Sequence, residues 1–103
     1  KKTKESIDAF EKAWTLNSDS IVASYNLANL YFKRKRVDIA LRWFKRLENT
    51  LKATEATHSA ASLKLGWRLA KASGNKNSAA NYAFKLKKRF PKSIEYKLIT
   101  SNQ

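Results

Sequence analysis

His58 is the only histidine in the chain, and Ser59 follows it directly. That pair is as close as the sequence comes to a base beside a nucleophile. A working dyad needs the base hydrogen-bonded to the nucleophile and held there by a third group. Adjacency in sequence secures neither. His58 also stands in Lys52–Ser59 (KATEATHS), a weakly patterned stretch that reads either as a loop or as an extension of a neighbouring helix. His58 therefore reads as a solvated loop residue. A metal centre needs several His, Cys or carboxylate ligands at close spacing. Cysteine is absent, and the eight Asp and Glu are scattered among basic neighbours. With two glycines in the chain, no Gly-rich phosphate loop can form. The expectation is a chain with no catalytic residues, no cofactor and no metal, and hence not an enzyme.

Charge is the more informative chemistry. There are 22 Lys and Arg against 8 Asp and Glu, a net charge of +14. Such a chain attracts polyanions: nucleic acid, an anionic membrane surface or an acidic protein. The cations cluster at Lys33-Arg34-Lys35-Arg36, at Arg42, Lys45 and Arg46, and at Lys85, Lys87, Lys88 and Arg89. These could neutralise phosphates. Most aromatics, however, fall where a helix would turn them inward, so no stacking platform for bases is apparent. A basic nucleic-acid-binding helical protein thus stays a disfavoured alternative. Peripheral contact with an anionic membrane stays open.

The elements that must position these groups are helices. Hydrophobic residues make up 43% of 103 residues, which suits one folded domain, and a single Pro leaves few breaks. The chain opens on Lys1-Lys2-Thr3 without Met, and no signal peptide or run of about 18 apolar residues is present. It reads as a fragment or a processed product. A first segment, Glu5–Leu16, places Ile7, Phe10, Ala13 and Trp14 on one helical face. After Asn17-Ser18, Asp19 or Ser20 can cap a second helix running to about Lys35, with Val22, Leu27, Leu30 and Tyr31 on its face beside Ala23 and Ala28. A third runs from Val37 to about Lys52 on Ile39, Ala40, Trp43, Phe44 and Leu47. A fourth covers Ala60–Ser73 on Leu63, Leu65, Trp67, Leu69 and Ala70, and Gly74 ends it. A fifth covers Asn77–Phe90 on Ala79, Tyr82, Ala83, Leu86 and Phe90, and Pro91 stops it. A short last helix spans Ser93 to about Ile99, with Ile94 and Leu98 four apart.

Helices of similar length between short turns invite a test for repeats. Counting from Ser20 as zero puts Leu27 at 7, Ala28 at 8, Tyr31 at 11, Ala40 at 20, Phe44 at 24 and Leu47 at 27. This is the tetratricopeptide pattern, departing at position 32, where Lys52 replaces Pro. Its physics is close helix approach over alanines, with Tyr and Phe filling the space beside them. Phe10 and Phe44 lie one 34-residue period apart. The last unit has Ala79, Ala83, Leu86 and Pro91 at positions 20, 24, 27 and 32, about 39 residues on. Its first helix fits in either of two registers, one of which takes Leu65-Gly66 as the large–small pair with a turn one residue longer. The expected fold is all-α: a tetratricopeptide helix-pair solenoid of about five to six antiparallel helices in a single domain, 1–103. Within it, 5–18 is the second helix of a truncated repeat, 20–52 a regular repeat, 57–91 a divergent one and 93–100 a short C-terminal helix.

Stacked helix pairs form a superhelix whose concave side is lined by the first helix of each pair. Val22, Tyr25, Asn29 and Phe32 take those positions in the regular repeat, with Asn26 and Lys33 beside them. Lys64, Arg68 and Lys71 form the stripe on the next first helix. Such a face would suit a peptide with acidic and apolar residues. The alternative is that Tyr25 and Phe32 bury against a preceding repeat.

The C-terminal third carries a closer likeness. Leu65-Gly66-Trp67-Arg68-Leu69-Ala70-Lys71, Gly74-Asn75-Lys76, Ser78-Ala79-Ala80-Asn81-Tyr82-Ala83, Leu86-Lys87-Lys88-Arg89-Phe90-Pro91-Lys92-Ser93 and Glu95-Tyr96 together resemble the end of the type IV pilus biogenesis and stability proteins. These are tetratricopeptide lipoproteins of Gram-negative bacteria that act as pilotins for the outer-membrane secretin. The resemblance is specific over 62–96 and merely repeat-like over 5–50. It implies a protein-binding adaptor at the periplasmic face of the outer membrane, with the secretin or another pilus-assembly component as partner. It also implies a lipidated N-terminal Cys and earlier repeats, neither of which lies in these 103 residues. A tetratricopeptide scaffold of another pathway is the alternative.

Overall fold

The computed structural model of the chain describes residues 21–101. The expected helix over 5–18 and the capping roles of Asp19 and Ser20 lie outside the described residues. Five helices follow in order: α1 (Ile21–Lys33), α2 (Val37–Ala53), α3 (Ala60–Ala72), α4 (Lys76–Arg89) and α5 (Ile94–Ser101). They fall into two compact units that divide between Thr57 and His58. In the first, α1 packs on α2. In the second, α3 packs on α4, and α5 closes against both.

The first pair meets over small residues. Ala23, Ala28 and Ala40 are buried, and Trp43, Phe44, Leu47 and Leu51 fill the space around them beside Leu27. Val22 does not belong to this face. It is 66% exposed, because it lies on the opposite side of α1 from Leu27 and Ala28. Ser24 is fully buried, and among the described residues its hydroxyl finds no hydrogen-bond partner.

In the second unit, Leu63, Trp67, Ala70, Ala79, Leu86 and Ile99 form one core, with Tyr82, Ala83, Phe90 and Tyr96 packed against it. The short helix presents Ile99 inward. Ile94 and Leu98 are exposed, so their i, i+4 spacing marks the outer face of α5 rather than its buried one.

Three helix ends share one geometry. Beyond α1, Arg36 N–H donates to Tyr31 O at 2.9 Å and Lys35 N–H to Phe32 O at 2.9 Å. Beyond α2, Ala56 N–H donates to Leu51 O at 2.8 Å and Glu55 N–H to Lys52 O at 3.2 Å. Beyond α3, Asn75 N–H donates to Ala70 O at 2.8 Å and Gly74 N–H to Lys71 O at 3.2 Å. Each is a Schellman cap, which requires a left-handed residue just past the helix. That residue is Lys35 (φ 63°), Glu55 (φ 56°) and Gly74 (φ 78°) in turn. The KATEATHS stretch is thereby resolved. Lys52 and Ala53 finish α2, and the left-handed Glu55 ends it, so the remainder is a connection.

A side chain in the left-handed region costs roughly 1–2 kcal/mol, part of which glycine gives back through its freer unfolded chain. Lys35→Gly and Glu55→Gly are therefore each expected to stabilise the protein by about 0.5–1 kcal/mol, read as a higher urea midpoint at unchanged slope. A lower midpoint would show that these two side chains stabilise more than their backbone strain costs.

The caps also decide the register of the second pair. Three residues, 34–36, separate α1 from α2, and three, 73–75, separate α3 from α4. With Gly74 in the place of Lys35, the offset is 39 throughout, and the longer-turn register is excluded. Gly66 then corresponds to Leu27, Trp67 to Ala28, Ala70 to Tyr31 and Ala83 to Phe44. Large and small residues have changed places between the two pairs.

Starts of helices are capped from the side chain where the sequence allows it. Ser59 Oγ accepts from Ser62 N–H at 3.2 Å, Asn75 Oδ1 from Ser78 N–H at 3.1 Å, and Ser93 Oγ from Tyr96 N–H at 3.1 Å. α2 begins at Arg36 without such a bond. Asp38 in its first turn complements the helix dipole instead, and its 3.9 Å pair with Arg36 is too exposed to add much.

Candidate functional site

Successive residues of an α-helix are turned by about 100°. On α1 this places Val22, Asn26, Asn29 and Lys33 in one line, with Tyr25 and Phe32 along its edge, an arc of about 120°. The arc lies opposite Leu27 and Ala28, whose side chains are fully buried. Val22 and Lys33 are exposed, while Tyr25, Asn26, Asn29 and Phe32 are half-buried. The stripe therefore offers two amides between an aliphatic group at one end and a cation at the other. An asparagine amide both donates and accepts, which suits an extended peptide backbone.

On α3, Lys64, Arg68 and Lys71 occupy an arc of about 60°. It is narrow because α3 buries most of its circumference: Ser62, Leu63, Leu65, Gly66, Trp67, Leu69 and Ala70. Arg68 and Lys71 are exposed, and Lys64 is half-buried. Lys71 Nζ lies 5.5 Å from the centroid of the Trp67 ring, held over its own helix by a cation–π contact. Each stripe belongs to its own unit.

His58 is not the solvated loop residue expected from sequence. It is half-buried, and its Nδ1 is 2.9 Å from Ser62 Oγ. Its ring meets Tyr82 edge-on at 6.1 Å, and its carbonyl accepts from Arg89 at 3.1 Å. Ser62 Oγ donates to Ser59 O at 3.1 Å, and the residue is 5% exposed. These bonds fasten the first turn of α3 to α4, which explains why an unpatterned stretch ends in an ordered helix start. Local spacing contained the signal, since His58 and Ser62 are four apart, but the partners Tyr82 and Arg89 come from 24 and 31 residues away.

The other cations lie on outer faces. Arg42, Lys45 and Arg46 are exposed on α2, where Arg46 Cζ sits 4.4 Å over the Trp43 ring. Trp43, Phe44 and Trp67 are buried and offer no ring face to a base. Among the described residues no three His, Cys, Asp or Glu come together, and no helix is long and apolar enough to cross a membrane. One surface residue escaped the sequence reading. Phe84 on α4 is 61% exposed. Its offset from Ala79 and Leu86 on the helical wheel turns it away from the core, so the period alone would have found it.

Against known proteins, the chain matches no family model. It is 32% identical over 96 residues to the type IV pilus assembly protein PilF of Pseudomonas aeruginosa, an alignment covering 93% of this chain and 36% of PilF. A solved structure of Pseudomonas aeruginosa pilF superimposes with a TM-score of 0.86 at 28% identity, over 99% of this chain and 44% of that one. The crystal structure of PilW, a widely conserved type IV pilus biogenesis factor, superimposes with a TM-score of 0.82 at 23% identity, over 96% and 46%, a likeness of fold. The chain thus spans less than half the length of the relatives it matches. With its helix pairs, its buried alanines and these relatives taken together, the chain is an all-α protein of tetratricopeptide type, homologous to the type IV pilus assembly protein PilF.

Proposed function

We propose that this chain is a non-catalytic, protein-binding adaptor of type IV pilus biogenesis. In this reading it is part of a pilotin-like lipoprotein at the periplasmic face of the outer membrane, where it helps the secretin to localise or assemble. The observation that carries the proposal is the homology to PilF across 93% of the chain. The α1 stripe supports it: paired amides beside half-buried aromatics are recognition chemistry, and the single histidine is engaged with Ser62 beside a helix start.

The test is capture from the solubilised envelope of a piliated Gram-negative bacterium, with retained proteins identified by mass spectrometry. The chain is expected to retain the secretin or another pilus-assembly component. Asn29→Ala with Phe32→Ala is expected to lower that retention about tenfold or more, as loss of central contacts does at protein interfaces. Circular dichroism checks that this variant stays folded. Retention of no pilus component would overturn the function, whereas full retention by the variant would move the binding face away from α1.

A further inference from the structure

The outer face of α4 combines dense positive charge with an exposed aromatic ring. The helix, KNSAANYAFKLKKR, carries five cations and no acid. In its midst stands Phe84, the one aromatic among the large exposed hydrophobic residues of the described chain. Lys88 lies one turn on, with its Nζ 5.9 Å from the Phe84 ring. Lys85 and Lys87 are exposed on either side. Arg89 is turned away to the His58 carbonyl and the Phe90 ring.

We propose that this face docks on an anionic phospholipid surface, with Phe84 entering the headgroup region and Lys85, Lys87 and Lys88 facing the lipid phosphates. The charge complementarity is direct: a helix without a single carboxylate faces a negative surface. The kind of cation matters as well. Lysine is a hydrated point charge with little directional demand, whereas interfaces between proteins favour arginine and are depleted in lysine. A protruding aromatic ring needs either a matching pocket or a medium that closes around it, and a bilayer interface is such a medium. Single-stranded nucleic acid would want successive rings for successive bases. Here the only other aromatic of α4, Tyr82, packs on the core.

The test is sedimentation of the full chain with vesicles of phosphatidylglycerol and phosphatidylcholine, or of phosphatidylcholine alone. Binding is expected with the anionic vesicles only, and it should weaken steeply as salt rises. Phe84→Ser should lower partitioning about tenfold, the usual effect of losing one buried aromatic. Lys85→Glu with Lys88→Glu should lower it by more than about tenfold. Arg42→Glu with Lys45→Glu removes the same charge from exposed positions on α2 and should matter far less. All these positions are exposed, and circular dichroism checks that each variant folds. Three results would overturn the proposal: no binding to anionic vesicles, equal losses from both charge pairs with none from Phe84→Ser, or Phe84-dependent binding of oligothymidine in place of vesicles.

Discussion

Trp67→Ala is expected to destabilise the second unit by about 4 kcal/mol. The tetratricopeptide pattern alone predicts the opposite, because it wants a small residue at this position and Ala28 supplies one in the first pair. In the second pair the indole is 8% exposed and sits in the same core as Leu63, Ala70, Leu86 and Ile99. In the shared register Gly66 stands where the first pair has Leu27, and Ala70, in the same core as the indole, where it has Tyr31. Removing the ring would leave a cavity in this core beside Leu63, Leu86 and Ile99. A domain of this size has a total stability of about 5–15 kcal/mol, so the loss should be plain in urea unfolding followed by circular dichroism. A change below about 1 kcal/mol would mean that the ring is not a packing element, and the register set by the helix caps would be wrong.

The mirror substitution, Ala28→Trp, is expected to cost about 3 kcal/mol or more. Ala28 is fully buried, and so is Leu27 beside it, where the second pair has Gly66. An indole there must push α1 away from α2. The first pair should lose its cooperative transition, or the chain should aggregate. A variant that unfolds at the wild-type midpoint would show that the two pairs tolerate the same packing and that their exchange of large and small residues is incidental. The two substitutions test one idea from opposite sides: the volume between a pair of helices is conserved, but which helix position supplies it is not.

Helices were legible in the sequence because their signals are local. Apolar residues recur at the helical period, and Gly74 and Pro91 stop α3 and α4 by backbone chemistry that needs no partner. The alignment of Val22, Asn26, Asn29 and Lys33 on α1, opposite the buried Leu27, follows from the same period. Errors gathered at helix ends. Val22, Ile94 and Leu98 are apolar but exposed, because a terminal turn has fewer neighbours to bury it and apolar type alone does not say which side is covered. His58 was misread because its ordering partners, Tyr82 and Arg89, are distant in sequence. Phe84 stands among cations, and its exposure follows from its offset from the buried Ala79 and Leu86.

By itself the sequence determined an all-helical chain, the helix ends that carry Gly or Pro, and the alanine-lined crossing of the first pair. These follow from backbone sterics and side-chain period, which act over a few residues. The likeness of residues 62–96 to pilus biogenesis proteins was legible there too. Only the tertiary structure decided the register of the second pair, because it turns on two caps, at Lys35 and Gly74, having the same geometry. It alone also showed that Trp67 is buried in the core of the second pair, that His58 ties α3 to α4, and that Phe84 stands clear of the core. Each of these depends on which distant residues share a volume, and a pattern read along one helix does not record that.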